Sequence, residues 1–357
     1  LLAASKHHAT LRPLRSESAS RWIPNDSHSV TDSSVTQLQR GTMNRNVRAV
    51  RGYLSNYIRN EFDNPFYASF KITHRCNLRC GFCNVWADKI PDLGTNDVFT
   101  VIDNLSQAST FTISFEGGEP LLRKDIGEIL RYTHDCSNYI LFTTNGLLID
   151  RRPFAEYARY FDFLQLSIDE GHNNVHMFDR LGFFSDLGIK TTVQTVVTKH
   201  DLDKIEEKVE KVHAHGHKIL IMPAFNFDGT EDLTPDLMAL REVVTRLKRE
   251  YGNTLTTSRS YIESFDQPYT CRTLSIMIEP NGDIIYPCMP IGTKLGNLLE
   301  NDLQSLMTSE RAQADREQML RCDRHCLIYC HAETSHLMSL RKLVPYARDI
   351  VTFRTFG

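Results

Sequence analysis

Three cysteines stand close together in the sequence, at Cys76, Cys80 and Cys83. Intervals of three and two residues on a loop would let the three thiolates converge on one cluster. Cysteine is the soft ligand that iron–sulfur clusters require, and three protein ligands on a four-iron cluster leave one iron open to a small molecule. A zinc loop or three buried thiols would use the same residues, although zinc sites usually show paired two-residue spacings and a nearby fourth ligand. The spacing favours the open four-iron cluster.

The elements that must position this loop alternate between strand and helix patterns. Runs rich in β-branched and aromatic residues predict six strands, at Tyr67–Thr73, Thr110–Phe115, Tyr139–Thr143, Phe163–Ile168, Lys190–Val197 and Ile219–Pro223. Helical patterns lie near 95–108, 125–134, 153–161, 175–186, 201–214 and 234–251. Six β-then-α units predict a parallel sheet with right-handed crossovers, which places its chemistry at the carboxyl ends of the strands. The cysteine loop directly follows the first predicted strand.

Further motifs follow the later predicted strands. In chain order they are Phe82 inside the cysteine loop, the turn Glu116-Gly117-Gly118-Glu119-Pro120, Thr144-Asn145-Gly146, Ser167-Ile168-Asp169 and the alternating strand Thr192–Val197. Glycines suit a turn whose backbone a ligand must approach closely. Together with the cysteine loop, these motifs resemble the radical S-adenosylmethionine (radical SAM) superfamily in their residues and in their order.

The resemblance implies an α/β fold: a partial (βα)6 barrel of the TIM type, open on one side, with a small cysteine-rich C-terminal iron–sulfur domain. It implies that SAM chelates the vacant iron of a 4Fe-4S cluster held by the first three cysteines. Reductive cleavage of SAM would give a deoxyadenosyl radical that abstracts hydrogen from an organic substrate or adenosylates it. Backbone carbonyls of the glycine-rich turn and the Glu119 side chain would meet the SAM ammonium. The implied cofactor-binding residues are Phe82, Gly117, Gly118, Glu119, Pro120, Asn145, Ser167, Asp169 and Gln194.

The loop after the fourth predicted strand departs from the family pattern. Many relatives carry a His-Asp-Arg run there, whose arginine meets the cofactor carboxylate. In this chain the segment 170–188 is short, and Arg180 is the only arginine nearby. The sequence therefore does not predict an arginine contact to the carboxylate.

A second group of cysteines lies near the C-terminus, at Cys271, Cys288, Cys322, Cys326 and Cys330. With the intervening Asn281–Cys288 and Leu295–Leu298, it resembles the auxiliary-cluster extension called SPASM, or its shorter form, Twitch. The last three cysteines are spaced three and three, and the group is too small for two full auxiliary clusters. The resemblance implies one auxiliary 4Fe-4S cluster, held by Cys271, Cys288 and two of the last three. A zinc knuckle or a cysteine-rich core is the alternative.

Composition limits the remaining possibilities. The formal net charge of −3 gives no basic excess, so no nucleic-acid partner is expected. No apolar run of about 18 residues is present, so no segment is expected to span a bilayer. Nine cysteines in clusters, instead of pairs spread along a short chain, indicate metal sites in a reducing compartment. We expect a cytoplasmic protein.

The sequence predicts five regions. They are a leader at 1–42, a basic amphipathic helix at 43–66, the barrel at 67–255, the auxiliary domain at 256–335 and a tail at 336–357. The leader is rich in Ser, Arg and His and could be a transit peptide, a translated upstream region or a disordered tail. The helix has apolar residues at Val47, Val50, Leu54 and Ile58, which either pack against the barrel or contact an anionic membrane surface.

The sequence thus predicts a radical SAM enzyme whose substrate class stays open among natural products, lipids, sugars and peptides. Oxidoreductase, epimerase and transferase outcomes are all compatible with it. The segment before the predicted barrel, 43–66, is short, and this weakens the peptide interpretation. The order of helix and strand that leads into the cysteine loop resembles that of enzymes that adenosylate hopanoid-type lipids. The expected electron donor is a ferredoxin or flavodoxin. A non-catalytic iron–sulfur or zinc protein is the alternative, but such a scaffold would have no use for the turn at 117–120.

Overall fold

The computed structural model describes residues 45–59, 63–108, 110–189, 191–225 and 232–338. The expected leader at 1–42 lies outside the described residues, and so does residue 339 onward of the expected tail. The domain boundaries given above stay predictions.

In the part of the chain that the structure describes, nine strands form one sheet, in the spatial order β6-β5-β4-β3-β2-β1-β7-β8-β9. The strands are β1 (Tyr67–Thr73), β2 (Thr112–Gly117), β3 (Tyr139–Thr144), β4 (Phe163–Ser167), β5 (Thr191–Val197), β6 (Lys218–Pro223), β7 (Ser275–Ile278), β8 (Asp283–Tyr286) and β9 (Thr293–Asn297). Strands β1 to β6 pair in parallel, each with the next in the chain. The six predicted strands and the partial-barrel fold are confirmed.

In chain order, the described residues form the helices α1 (Arg45–Arg59), α2 (Thr95–Gln107), α3 (Ile126–Asp135), α4 (Phe154–Tyr157), α5 (Leu181–Asp186), α6 (Ile205–Ala214), α7 (Leu237–Tyr251), α8 (Arg259–Glu263), α9 (Leu303–Thr308), α10 (Glu310–Leu320) and α11 (Tyr329–Leu337). Helices α2 to α6 connect the parallel strands β1 to β6. Helix α2 buries Val98, Val101, Ile102 and Leu105, the three-and-four spacing that keeps one side of a helix on the core. The helix predicted at 175–186 begins instead as a 3-10 helix, Val175–Arg180.

Alternation along the strands decides which side chains reach the barrel interior. In β1, Ala68, Phe70 and Ile72 are fully buried in the core. Successive side chains of a strand point to opposite faces, so Ser69 and Lys71 point to the other face, into the barrel. The polar groups of the candidate site therefore lie on strand positions that the core does not use.

The cysteine-rich C-terminal region continues the same sheet. Strand β7 pairs in parallel with β1, from Tyr67 opposite Ser275 to Phe70 opposite Ile278. Strands β8 and β9 follow as antiparallel partners. This region is thus joined to the barrel at its first strand.

Helix α1 presents its apolar side outward. Val47, Val50, Leu54 and Ile58 are exposed, Ile58 to 79%. Asn56, on the opposite side of the helix, is buried and donates a 2.7 Å hydrogen bond to the Asn64 carbonyl. The interpretation that the apolar residues pack against the barrel is therefore wrong. No helix among the described residues is long and apolar enough to cross a membrane.

Candidate functional site

The cysteine loop begins where β1 ends, as predicted. Cys76, Cys80 and Cys83 all line one cavity of about 240 Å³, which we call the cluster-side cavity. Burial raises the pKa of the Cys76 and Cys83 thiols, and each has another cysteine of the trio near enough to raise it further. Buried thiols that favour their neutral form lose their protons when a metal supplies positive charge. The donor set therefore fits a thiolate-bound cluster.

The glycine-rich turn packs directly against this loop. A Cβ atom at Gly118 would lie 2.1 Å from the Arg75 carbonyl oxygen, and one at Gly117 would lie 2.3 Å from that of Thr73. Gly117 also has a φ of 127°, which side chains rarely adopt. The Gly118 N–H donates a 2.7 Å hydrogen bond to the Thr73 carbonyl oxygen. The glycines are thus required by the approach of two protein backbones, and both line the cluster-side cavity.

Glu119 does not face that cavity. Its side chain is fully buried. One carboxylate oxygen accepts from Leu121 N at 3.0 Å and Thr144 Oγ1 at 2.8 Å, and the other accepts from Asn145 N at 2.9 Å. Protein donors thus contact both carboxylate oxygens, and the expectation that this side chain meets the SAM ammonium stays a prediction. Pro120 is also buried, where it begins the 3-10 helix Pro120–Leu122.

The end of β3 is fixed against the cysteine loop. Asn145 Nδ2 donates to Asn77 Oδ1 at 2.9 Å. Thr143, Thr144 and Asn145 line the cluster-side cavity. Asn145 is thus oriented by Glu119 on one side and by the cysteine loop on the other, and its expected contact with the cofactor stays a prediction.

Asp169 organises the loop after β4. Although it was expected to bind cofactor, it is fully buried and accepts hydrogen bonds from His172 N at 2.9 Å, His172 Nδ1 at 2.8 Å and Val196 N at 3.0 Å. These donors hold the carboxylate within the protein, and its expected contact with the cofactor stays a prediction. Burial lowers the pKa of His172, but hydrogen bonds with Asp169 and Cys80 outweigh it and raise the pKa to about 10. His172 is thus a cation at the edge of the cluster-side cavity.

Phe82 lies between the cysteine loop and the β4 loop. Its ring contacts the His172 ring edge-on, with centroids 5.3 Å apart. A Cβ atom at Gly171 would lie 2.1 Å from the Phe82 ring. Phe82 lines a second, larger cavity, and the expected residue Gln194 does so too. The expected Ser167 lines both cavities.

Two cationic side chains at the cluster-side cavity were missed from the sequence, Lys71 and His172. Lys71 Nζ pairs with Glu279 at 3.2 Å. The signals were available: Lys71 occupies an interior position of β1, and His172 follows Asp169 by three residues. Arg180 forms a two-point ion pair with Asp150, at 2.8 Å for each bond, and lines neither cavity.

The larger cavity, about 480 Å³, fills the barrel interior and reaches the cysteine loop at Cys83. Most of its wall is apolar, with Glu116, Gln165 and Gln194 among its polar groups. Ser69 Oγ donates a hydrogen bond to Glu116. Burial raises the pKa of Glu116 to about 7, against the lowering effect of Lys71. The cavity therefore offers a largely apolar volume directly beside the cysteine loop.

Four of the five C-terminal cysteines lie near one another. Burial raises the pKa of Cys271 to about 11 and of Cys288 to about 12, and each pKa is raised further by Cys322 and Cys326. Cys330 instead lines the larger cavity, and Glu116 adds to the effect of burial in raising its pKa. Among the described residues, no group of three or more His, Cys, Asp or Glu side chains is arranged to hold a single metal ion.

Comparison with known proteins identifies a domain. Residues 70–236 match the family described as the Radical SAM superfamily. The chain thus contains a radical SAM domain. It is thus a radical SAM enzyme, and its expected cofactors at the first site, a 4Fe-4S cluster and SAM, are confirmed. When bound, they supply a deoxyadenosyl radical by reductive cleavage of SAM.

Several individual proteins are similar to this chain. The antilisterial bacteriocin subtilosin biosynthesis protein AlbA of Bacillus subtilis (strain 168) is 26% identical over 316 residues, covering 78% of this chain and 68% of AlbA. Streptococcus suis SuiB bound to its precursor peptide SuiA matches with a TM-score of 0.61 at 20% identity, over 79% of this chain and 74% of SuiB. Polyhistidine-tagged anSMEcpe with bound AdoMet gives 0.60 at 15% identity, over 81% of this chain and 97% of anSMEcpe. These structures support the fold.

Proposed function

We propose that this radical SAM enzyme modifies a peptide that inserts into the larger cavity. The observation that supports this most directly is the cavity itself, because it joins the cysteine loop to a largely apolar volume. The side-chain amides of Gln165 and Gln194 in its wall can both donate and accept, which matches the needs of a peptide backbone. The similar proteins point the same way, since one takes part in bacteriocin biosynthesis and another binds a precursor peptide.

Cys76, Cys80 and Cys83 would hold the SAM-binding cluster in this proposal. Around them, the backbone of Gly117 and Gly118 and the side chains of Asn145 and Ser167 form the wall that would orient SAM. His172 and Lys71 would provide the positive charge for the SAM carboxylate that an arginine provides in many relatives.

Cys271, Cys288, Cys322 and Cys326 would hold one auxiliary cluster. Their mutual effects on thiol pKa support this set. Cys330 would be the spare cysteine, because it faces the larger cavity. None of the nine cysteines, all of which the structure describes, forms a disulfide, and this suits a reducing compartment such as the cytoplasm and a ferredoxin or flavodoxin as electron donor.

The test uses anaerobically reconstituted protein with SAM and dithionite, and mass spectrometry of 5′-deoxyadenosine. A low-mass extract of cells that naturally express this protein should stimulate the formation of 5′-deoxyadenosine. Protease treatment of that extract should abolish the stimulation. Persistence after protease treatment would exclude a peptide and favour a sugar or lipid. Joint Ala replacement of Cys76, Cys80 and Cys83 should abolish cleavage, while the control Cys136→Ala, at the end of α3, should retain it.

We also propose that α1 contacts an anionic membrane surface. Its exposed apolar residues border a groove that includes Arg51, and apolar side chains flanked by arginines are typical of helices that lie in a lipid interface. Vesicles of phosphatidylglycerol should sediment the protein, and Leu54→Glu with Ile58→Glu should abolish this. Met238→Glu, at an exposed apolar position on α7, is the control. Equal sedimentation of both variants would refute the contact.

A further inference from the structure

Tyr269 lies in the segment between α8 and β7, two residues before Cys271. Its ring packs against the hydrophobic core, and the ring centroid lies 5.6 Å from that of His336 on α11. The hydroxyl oxygen is buried, yet among the described residues it meets no partner at the distance and angle of a full hydrogen bond. Because buried hydroxyls are nearly always paired in native proteins, this one requires an explanation.

Two cysteines proposed as ligands of the auxiliary cluster are near this hydroxyl. Burial raises the pKa of Cys326, and hydrogen bonding with the Tyr269 hydroxyl acts against it and lowers the pKa. Burial also raises the pKa of Tyr269, and negative charge on Cys326 or Cys271 would raise it further. A neutral thiol is only a weak acceptor. The hydroxyl therefore lies beside the Cys326 sulfur, but its hydrogen bond to that sulfur is incomplete.

A second buried tyrosine near the same cysteine already has an acceptor. Burial raises the pKa of Tyr261, and charge on Cys326 would raise it further, so this phenol also lies in the neighbourhood of that sulfur. Its hydroxyl donates a 2.7 Å hydrogen bond to the Leu327 carbonyl. A hydroxyl has one hydrogen to donate, so Tyr261 cannot serve Cys326 while this bond lasts. Tyr269, in contrast, keeps its hydrogen for another acceptor.

We propose that Tyr269 sets the reduction potential of the auxiliary cluster by donating an O–H···S hydrogen bond to Cys326 when that sulfur binds iron. This inference rests on the auxiliary cluster of the proposed function. Bound to iron, Cys326 is a thiolate, and a charged acceptor forms the stronger hydrogen bond. One electron added to the cluster increases the negative charge on its sulfurs and strengthens this bond further. The hydrogen bond therefore favours the reduced cluster and raises its potential.

The test uses the full-length, anaerobically reconstituted protein in a redox titration with dithionite and mediators, followed by electron paramagnetic resonance. SAM changes the signal of the first cluster, so the signal that SAM leaves unchanged belongs to the auxiliary cluster. Tyr269→Phe keeps the ring and removes only the donor. We expect it to retain the wild-type iron content and the midpoint potential of the first cluster. The midpoint potential of its auxiliary cluster should become more negative.

Tyr261→Phe is the matched control. It removes a hydroxyl near the same cysteine, but one that serves the Leu327 carbonyl. We expect a lower thermal unfolding midpoint for this variant, because a buried acceptor loses its donor, and an unchanged potential of the auxiliary cluster. An equal shift of potential in both variants would attribute the effect to a general disturbance of the site and would overturn the proposal.

Three further results would overturn the inference, and they differ in what they leave standing. An unchanged auxiliary potential in Tyr269→Phe would show that the hydroxyl does not act on the cluster, while the proposed function survives. Loss of about four irons in that variant would make Tyr269 necessary for cluster assembly instead of for its potential. Iron for one cluster only in the wild type would remove the auxiliary cluster from the proposed function, and this inference with it.

Discussion

Glu119 fixes the end of the neighbouring strand through Asn145, whose backbone N–H donates a 2.9 Å hydrogen bond to the Glu119 carboxylate. The same carboxylate accepts from Leu121 and Thr144, so it joins the glycine-rich turn to β3. Because Asn145 in turn binds Asn77 of the cysteine loop, one buried acid determines how three segments meet at the cluster-side cavity.

Glu119→Ala should therefore lower stability. It would leave three buried donors without their acceptor, and each unsatisfied buried group costs about 1–3 kcal/mol. Anaerobic urea unfolding of the reconstituted protein measures this loss. Glu128→Ala, at an exposed position on α3, is the control and should change stability little. An unchanged unfolding midpoint for Glu119→Ala, with weaker SAM binding alone, would restore Glu119 as a direct cofactor ligand.

Gly118→Ala should prevent the cysteine loop from taking its place. The added methyl group would meet the Arg75 carbonyl at 2.1 Å, and backbone atoms cannot rotate away as a side chain can. Overpacking of this kind typically costs about 1–3 kcal/mol. We expect less iron bound at the first site and a lower unfolding midpoint. Gly94→Ala, whose nearest contact would be an ordinary 3.7 Å, is the matched control, and equal iron content in the two variants would contradict the prediction.

The sequence predicted the barrel because its evidence is local. Each parallel strand is a short β-rich run, and the cysteine loop and the glycine-rich turn follow strand ends, where parallel sheets place their chemistry. The direction in which a side chain points was harder to predict from the sequence. An acid after a strand can face a ligand or cap a neighbouring backbone, and Glu119 and Asp169 both proved to do the second. Hydrophobic spacing likewise identified α1 without revealing that its apolar side faces outward.

The pairing of strands that are far apart in the chain could not be predicted from the sequence either. Nothing local indicates that β7 pairs with β1, two strands about 200 residues apart. That pairing joins the region that carries the C-terminal cysteines to the barrel, and Cys330 of this region lines the larger cavity. The sequence could count one cysteine too many for a single cluster, but it could not indicate which of them reaches that cavity.

Glu116 should make stability depend on pH. Its pKa rises from 4.5 to about 7 on folding, so the folded state favours the protonated acid. The associated stability is present below pH 4.5 and is lost as pH rises toward and through 7, by up to about 3 kcal/mol. Glu116→Gln cannot ionise at this position. Its free energy of unfolding, measured with urea, should therefore rise relative to that of the wild type between pH 5 and pH 8. A difference between the two proteins that stays constant with pH would show that Glu116 is ionised when folded.

Gly171 and Phe82 should behave as a coupled pair. A methyl group at Gly171 would overlap the Phe82 ring, which is held between the cysteine loop and the β4 loop. Gly171→Ala alone should therefore displace Phe82, and with it His172, and weaken SAM binding measured by equilibrium dialysis.

Removing the ring should relieve this clash. In a double-mutant cycle, Gly171→Ala should cost much less SAM affinity in the Phe82→Ala background than in the wild type, with a coupling free energy of about 0.5–3 kcal/mol. Gly182→Ala, whose nearest contact would be 4.0 Å from His215, provides a glycine control on α5. Additive effects of Gly171→Ala and Phe82→Ala would mean that the β4 loop reaches the cofactor independently of the cysteine loop.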